Sequence, residues 1–162
     1  MHPIELYFRA EKAESLVFVG AGVVAVTLAA WLLLGQRTAL STGLAIPLLL
    51  IGLTQLTVGG SVYLRTDRQQ AELEAVYARA PAQFAAQEMP RMQQVNASFD
   101  LYKLVEIAFI LIGTGLIYFR QQHDFWLGLG LGMLLQGTVM LAADIFAERR
   151  ADVYTAFVAR QG

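Results

Sequence analysis

Residues 101–115 read Leu-Tyr-Lys-Leu-Val-Glu-Ile-Ala-Phe-Ile-Leu-Ile-Gly-Thr-Gly. The pattern Leu-Tyr-x3-Glu-x-Ala-x2-Leu-x3-Gly within it also occurs 95 residues earlier. There Leu6, Tyr7, Glu11, Ala13, Leu16 and Gly20 correspond to Leu101, Tyr102, Glu106, Ala108, Leu111 and Gly115. Each copy opens a long apolar segment, and a second apolar segment follows each. The second segments correspond at a separation of 85: Gly43, Leu44, Leu49, Leu50, Gly52, Leu56 and Arg65 against Gly128, Leu129, Leu134, Leu135, Gly137, Leu141 and Arg150. The expected fold is an all-α integral membrane protein with four transmembrane helices arranged as two tandem helical hairpins, a parallel internal repeat. Repeat 1 covers about 4–80 and repeat 2 about 99–160, with a helical cytoplasmic connecting segment over about 81–98.

Composition agrees with this class. A chain of 162 residues is ordinarily one domain. Its 56% hydrophobic and 15% charged content, with mean hydropathy +0.50, is unusual for a soluble domain and ordinary for a polytopic membrane protein. The net charge of -1 offers nothing to attract nucleic acid. There are no cysteines, so disulfides, thiolate metal sites and thiol redox chemistry are excluded.

The uncharged runs set the spans. Ser15–Gln36, Thr38–Leu64 and Phe125–Ala143 carry no formal charge, and the first two exceed the ~20 residues needed to cross a hydrocarbon core. The fourth run, Ile107–Phe119, has only 13 residues. At ~1.5 Å per residue it reaches about 20 Å of the ~30 Å required. Spans are therefore expected at about 15–35, 41–64, 101–119 and 125–146, and the third must carry Glu106 into or near the bilayer. The N-terminal run is read as a retained span rather than a cleaved leader, because it is long and has a partner deep in the chain.

Ten of the twelve basic residues lie before span one, between spans two and three, or after span four; only Arg37 and Arg120 lie in the short connections. The positive-inside rule then places both termini and the central segment in the cytoplasm. Composition rich in Ala, Leu and Arg suits a bacterial inner membrane. In the segment 66–100, Leu73, Val76, Tyr77 and Ala80 fall at helical spacing; Pro81 and Pro90 punctuate the remainder of the segment, and Asn96-Ala97-Ser98 offers a cap before the third span. The C-terminal tail repeats the helical spacing in Val153, Tyr154, Phe157 and Val158. These stretches are expected either to pack on each other or to offer a surface to a protein partner.

Polar residues near hydrocarbon are the candidate functional groups. Glu106 and Asp144 are the deepest acids, with Lys103 one turn from Glu106 and Glu11 as its sequence mate. The sequence favours a structural ion-pair cluster of Glu106, Lys103, Asp144 and Glu11; the alternative is a proton or cation site in a transporter or channel component. Gln55, Gln136 and Thr138, with Thr54 and Thr57, would then line a polar path, or serve as hydrogen-bonding glue between helices. Gly128-x3-Gly132 fits close helix packing, within the chain or in a homodimer. Asp144 and Glu148 are spaced i, i+4, but no Glu-x-x-His motif accompanies them, so no metal and no cofactor is expected. No nucleophile elbow, phosphate loop or zinc-protease motif occurs, and no enzyme activity is expected. The expected partner is the lipid bilayer, and the first functional expectation is an interaction or accessory membrane subunit.

Overall fold

A computed structural model describes residues 2–162 and is all-α. Helix α1 (Pro3–Trp31) runs on through a five-residue π-helical turn, Leu32–Gln36, and is followed by α2 (Ala39–Arg79), α3 (Pro81–Arg120) and α4 (Asp124–Ala159). All four are long and apolar enough to cross a membrane. Local chemistry sets the boundaries. The π turn ends where Arg37 adopts φ 50°, and Thr38 starts α2 with a reciprocal capping box to Ser41. Only Ala80 separates α2 from α3, whose first residue is Pro81, a position where the missing N–H costs nothing.

The third helix departs from the sequence expectation. It runs unbroken through Pro90 and through Asn96-Ala97-Ser98, so no cap precedes the third span. Pro90 and Ala86, the residue whose carbonyl it leaves free, are both exposed, so water can satisfy the lost bond. The side chains expected to cap are used otherwise: Ser98 Oγ donates to the Gln94 carbonyl, and Asn96 Nδ2 donates to Thr155 Oγ1 of α4.

Along their apolar portions α1 packs on α2, α3 packs on α4, and α2 packs on α4. Among the described residues, no Cα of α1 comes within 8 Å of one of α3. The order in space is therefore α1–α2–α4–α3. Small residues make every seam. A side chain at Gly52 would meet Gly22, Ala25 and Val26 of α1, and one at Gly137 would meet Glu106, Phe109 and Ile110 of α3. Gly59 lies against Ser15, Phe18 and Val19, and Gly130 lies against Gly113, Leu116 and Ile117. Packing thus relates α2 to α4 by the 85-residue shift seen in the sequence. It relates α1 to α3 differently: Gly22 takes the place of Glu106, a shift of 84 rather than 95. The 95-residue correspondence is not the register in which the helices pack.

At the end opposite the α1–α2 and α3–α4 connections, the tips of all four helices meet in a second core. Ile4, Tyr7 and Phe8 of α1 and Phe84, Ala85 and Met92 of α3 are buried with Ala151, Tyr154 and Val158 of α4. Leu73, Val76 and Tyr77 of α2 close over them. This head is held by aromatic contacts, including Tyr7 stacked on Tyr154 at 4.1 Å and Tyr77 edge-on to Phe84 at 5.3 Å.

Candidate functional site: two facing carboxyls beneath an ion pair

The carboxyls of Glu106 on α3 and Asp144 on α4 lie across the α3–α4 seam from each other, near enough to interact. The helix geometry brings this about. Gly137, with no side chain, lets α4 approach the Glu106 backbone. Side chains lean toward the N-terminus of their own helix, and the two helices are antiparallel, so Glu106 and Asp144 lean toward one another. Glu106 is 6% exposed and Asp144 7%. Glu106 Oε2 is buried without a hydrogen-bond partner.

Lys103 does not sit on this pair. Its Nζ donates to Glu148 Oε1 at 2.6 Å and lies 3.2 Å from Asp100 Oδ1. Lys103 is one turn before Glu106, and Glu148 one turn after Asp144, so the ion pair forms a second rung between α3 and α4 on the head side of the acids. The spacing of Asp144 and Glu148 at i, i+4 contained the signal for this rung. Arg150 pairs instead with Glu14 of α1.

Glu11 lies elsewhere. It accepts from Tyr7 Oη at 3.5 Å and Thr66 Oγ1 at 3.4 Å, with Arg65 Nη2 at 3.7 Å. Of the polar-path residues, Gln55 is 1% exposed, and its Nε2 donates to the Met140 sulfur at 3.3 Å across the α2–α4 seam, while its Oε1 is unpartnered. Gln136 is buried one turn from Met140 on α4. The threonines do not join the glutamines. Thr54, Thr57 and Thr138 are exposed and donate to carbonyls of their own helices, Leu50, Leu53 and Leu134. Gly128 abuts Leu40 and Leu44, and Gly132 abuts Leu44 and Pro47, so both glycines serve the α2–α4 seam inside one chain.

The head holds a charged group that sequence spacing alone did not single out. Arg91 makes a two-pronged ion pair with Glu88, which is 2% exposed, at 2.8 and 2.5 Å. Its guanidinium lies over the rings of Tyr7 and Phe8. Burial works to lower the Arg91 pKa, but the hydrogen bonds and charge of Glu88 more than offset it and leave it raised. Burial, then the nearby Glu88, pushes the Tyr154 phenol up; burial, then Glu11, does the same for Tyr7. Lys12 is raised by its hydrogen bond to Asp67 at 2.7 Å.

Among the described residues no three His, Cys, Asp or Glu side chains converge to hold a metal. Comparison with known proteins finds no matching family, no similar curated sequence and no similar solved structure.

Proposed function

We propose that this chain is an integral protein of a bacterial inner membrane, working as a transporter or channel component whose centre is the Glu106–Asp144 pair. In this reading the four helices span the bilayer as two parallel copies of one helical hairpin, and the head with both termini lies in the cytoplasm. The observation that carries the reading is a pair of neighbouring buried carboxyls, with the Lys103 ammonium bonded to Glu148 and Asp100 rather than to either of them. Two like charges about 4 Å apart repel by roughly 4 kcal/mol even at an effective dielectric constant of 20. The pair therefore keeps its place by holding a proton or small cation, and acids at such depth in membrane proteins commonly mark ion and proton routes. The positions of the first half that pack equivalently, Gly22 and Gly59, carry no acid. The repeat supplies the scaffold and the second half supplies the chemistry.

An accessory role through the segment 66–100 and the C-terminal tail draws less support. Phe84, Ala85, Glu88, Met92, Tyr154 and Val158 face inward in the head's own core rather than outward toward a partner.

The test is flux through liposomes carrying the purified protein and a pH-sensitive dye inside. Wild type is expected to pass protons or a monovalent cation under an applied gradient, and Glu106→Gln and Asp144→Asn to abolish that flux while remaining folded. Equal flux in wild type and both variants would remove the pair from the mechanism.

A further inference from the structure

The acid pair and the ion pair beside it form a graded entry from water to hydrocarbon. The Asp100 side chain is 78% exposed, Lys103 and Glu148 are 26% and 25% exposed, and the Glu106 and Asp144 residues are 6% and 7% exposed. These five groups descend between α3 and α4 from the head toward the apolar seam. Adjacent rungs are one helical turn apart, about 5 Å along the axis. Below the acids the seam closes: Gly137 rests against Phe109 and Ile110, and Gly130 against Leu116 and Ile117. The Lys103–Glu148 rung therefore lies between the acids and the head.

The chemistry of the pocket selects the ligand. Two carboxyls, without a third ligating acid or histidine among the described residues, form no dedicated cage for a hard metal ion, which takes about six oxygens and would have to carry most of them in as water. A proton needs only the two. Buried Glu106 Oε2 has no donor, so this carboxyl has an acceptor that a bound proton could satisfy. Gln55 Oε1, buried and also without a donor, lies at the α2–α4 seam opposite Met140, one turn from Asp144. The charged groups near the acids include Lys103 from α3, with Asp100 bound to it, Glu148 from α4, and Glu14 from α1, itself paired with Arg150. From α2 the contribution is the uncharged Gln55.

We infer that the Glu106–Asp144 pair binds a proton and not a metal cation, and that the Lys103–Glu148 ion pair is the gate through which that proton exchanges with the head side. This rests on the reading of the acid pair as the working centre. Closed, the rung places a fixed cation in the path of an entering proton and lets Glu148 bind Lys103 instead of relaying. Opened, by separation of Lys103 from Glu148, it leaves Glu148 free to accept the proton from Asp144 and pass it to water. Lys103 and Glu148 are thus positioning residues for access, and Glu106 and Asp144 are the binding groups.

The experiment is infrared spectroscopy of the full chain in phosphatidylcholine–phosphatidylglycerol bilayers, following exchange into heavy water. A protonated-carboxyl band is expected in wild type and is expected to vanish in both Glu106→Gln and Asp144→Asn. Absence of the band, or its survival in both variants, would overturn the acid-pair reading itself. With the band established, Lys103→Gln is expected to keep it and to speed its exchange at least about tenfold, the effect of a barrier lowered by ~1.4 kcal/mol. Lys103→Arg, which keeps the ion pair, is expected to retain slow exchange. Asp100→Asn, which removes only the outer tether of Lys103, is expected to speed exchange to a smaller degree and serves if Lys103→Gln does not fold. Unchanged exchange in Lys103→Gln and Asp100→Asn would overturn the gate and leave the acid pair standing. A wild-type band abolished by millimolar sodium or potassium at fixed pH would overturn the choice of proton over cation.

Discussion

Gly43 of α2 and Gly128 of α4 face each other backbone to backbone, and a Cβ on either would overlap a carbonyl oxygen of the other helix: Phe125 O for Gly43 and Leu40 O for Gly128. Two helices can approach this closely only where neither presents a side chain. The contact is self-complementary, since Leu40 and Phe125 are themselves 85 residues apart. Gly43→Ala and Gly128→Ala are each expected to lower stability by about 1–3 kcal/mol, the usual cost of overpacking a well-packed contact. Gly20→Ala and Gly115→Ala, where nothing lies within 4 Å of the new methyl, should leave it unchanged. Unfolding of the detergent-solubilised protein by added dodecyl sulfate compares the four; equal behaviour would contradict the seam.

Glu106→Gln is expected not to weaken the fold. Lys103 keeps Glu148 and Asp100, so no cation is stranded by the change. A glutamine amide can also donate to Asp144, standing in for the proton that the wild-type pair holds. The thermal midpoint in detergent should equal or exceed that of wild type, and a clear drop would show that Glu106 neutralises a cation after all.

The Glu88–Arg91 pair should behave as a buried ion pair. Arg91→Met leaves Glu88 charged in the head core, and the expected loss is about 3–5 kcal/mol. Removing both charges with Glu88→Gln added is expected to recover much of it. A double variant no more stable than Arg91→Met, measured by chemical denaturation, would show that the cost is lost packing rather than a lone charge.

Alkali should loosen the head. Tyr154 and Tyr7 titrate above the ordinary tyrosine value of 10.0, so the folded head holds their protons more tightly than the unfolded chain does. Their contribution is complete below pH 10.0 and falls as pH rises beyond it toward the folded values. Tyr154→Phe removes a hydroxyl that makes no hydrogen bond and should cost little at neutral pH while blunting this loss. Ultraviolet titration of the phenolate against the melting midpoint tests both halves of the statement.

Four long apolar helices were legible in the sequence because uncharged runs of bilayer length admit few other forms. The register of α2 against α4 was legible too, since its glycines are spaced by the packing itself. The register of α1 against α3 was not. A shift of 95 differs from one of 84 by eleven residues, close to three turns at 3.6 residues per turn. Both shifts place the same face inward, and only contact with the neighbouring helix separates them. In the site, Glu106 and Asp144 stood out by depth, whereas Lys103 was expected to join them and instead bonds Asp100, also one turn away, and Glu148 across the seam. Glu88 and Arg91 were not singled out, because the core that covers them is built from residues far off in the chain, Tyr7 on one side and Tyr154 on the other.

The row order α1–α2–α4–α3 also sets a timetable for assembly. Each outer helix rests on the helix next to it along the chain, so those seams close locally while the polypeptide is still emerging. Only the α2–α4 seam and the head join distant residues, and such contacts form late because a long loop must first be closed. The first half holds every residue of its own glycine seam once Arg79 has been made, and leaves Gly43 for the second half to cover. The second half then docks as a unit and in the same motion draws Tyr154 onto Tyr7.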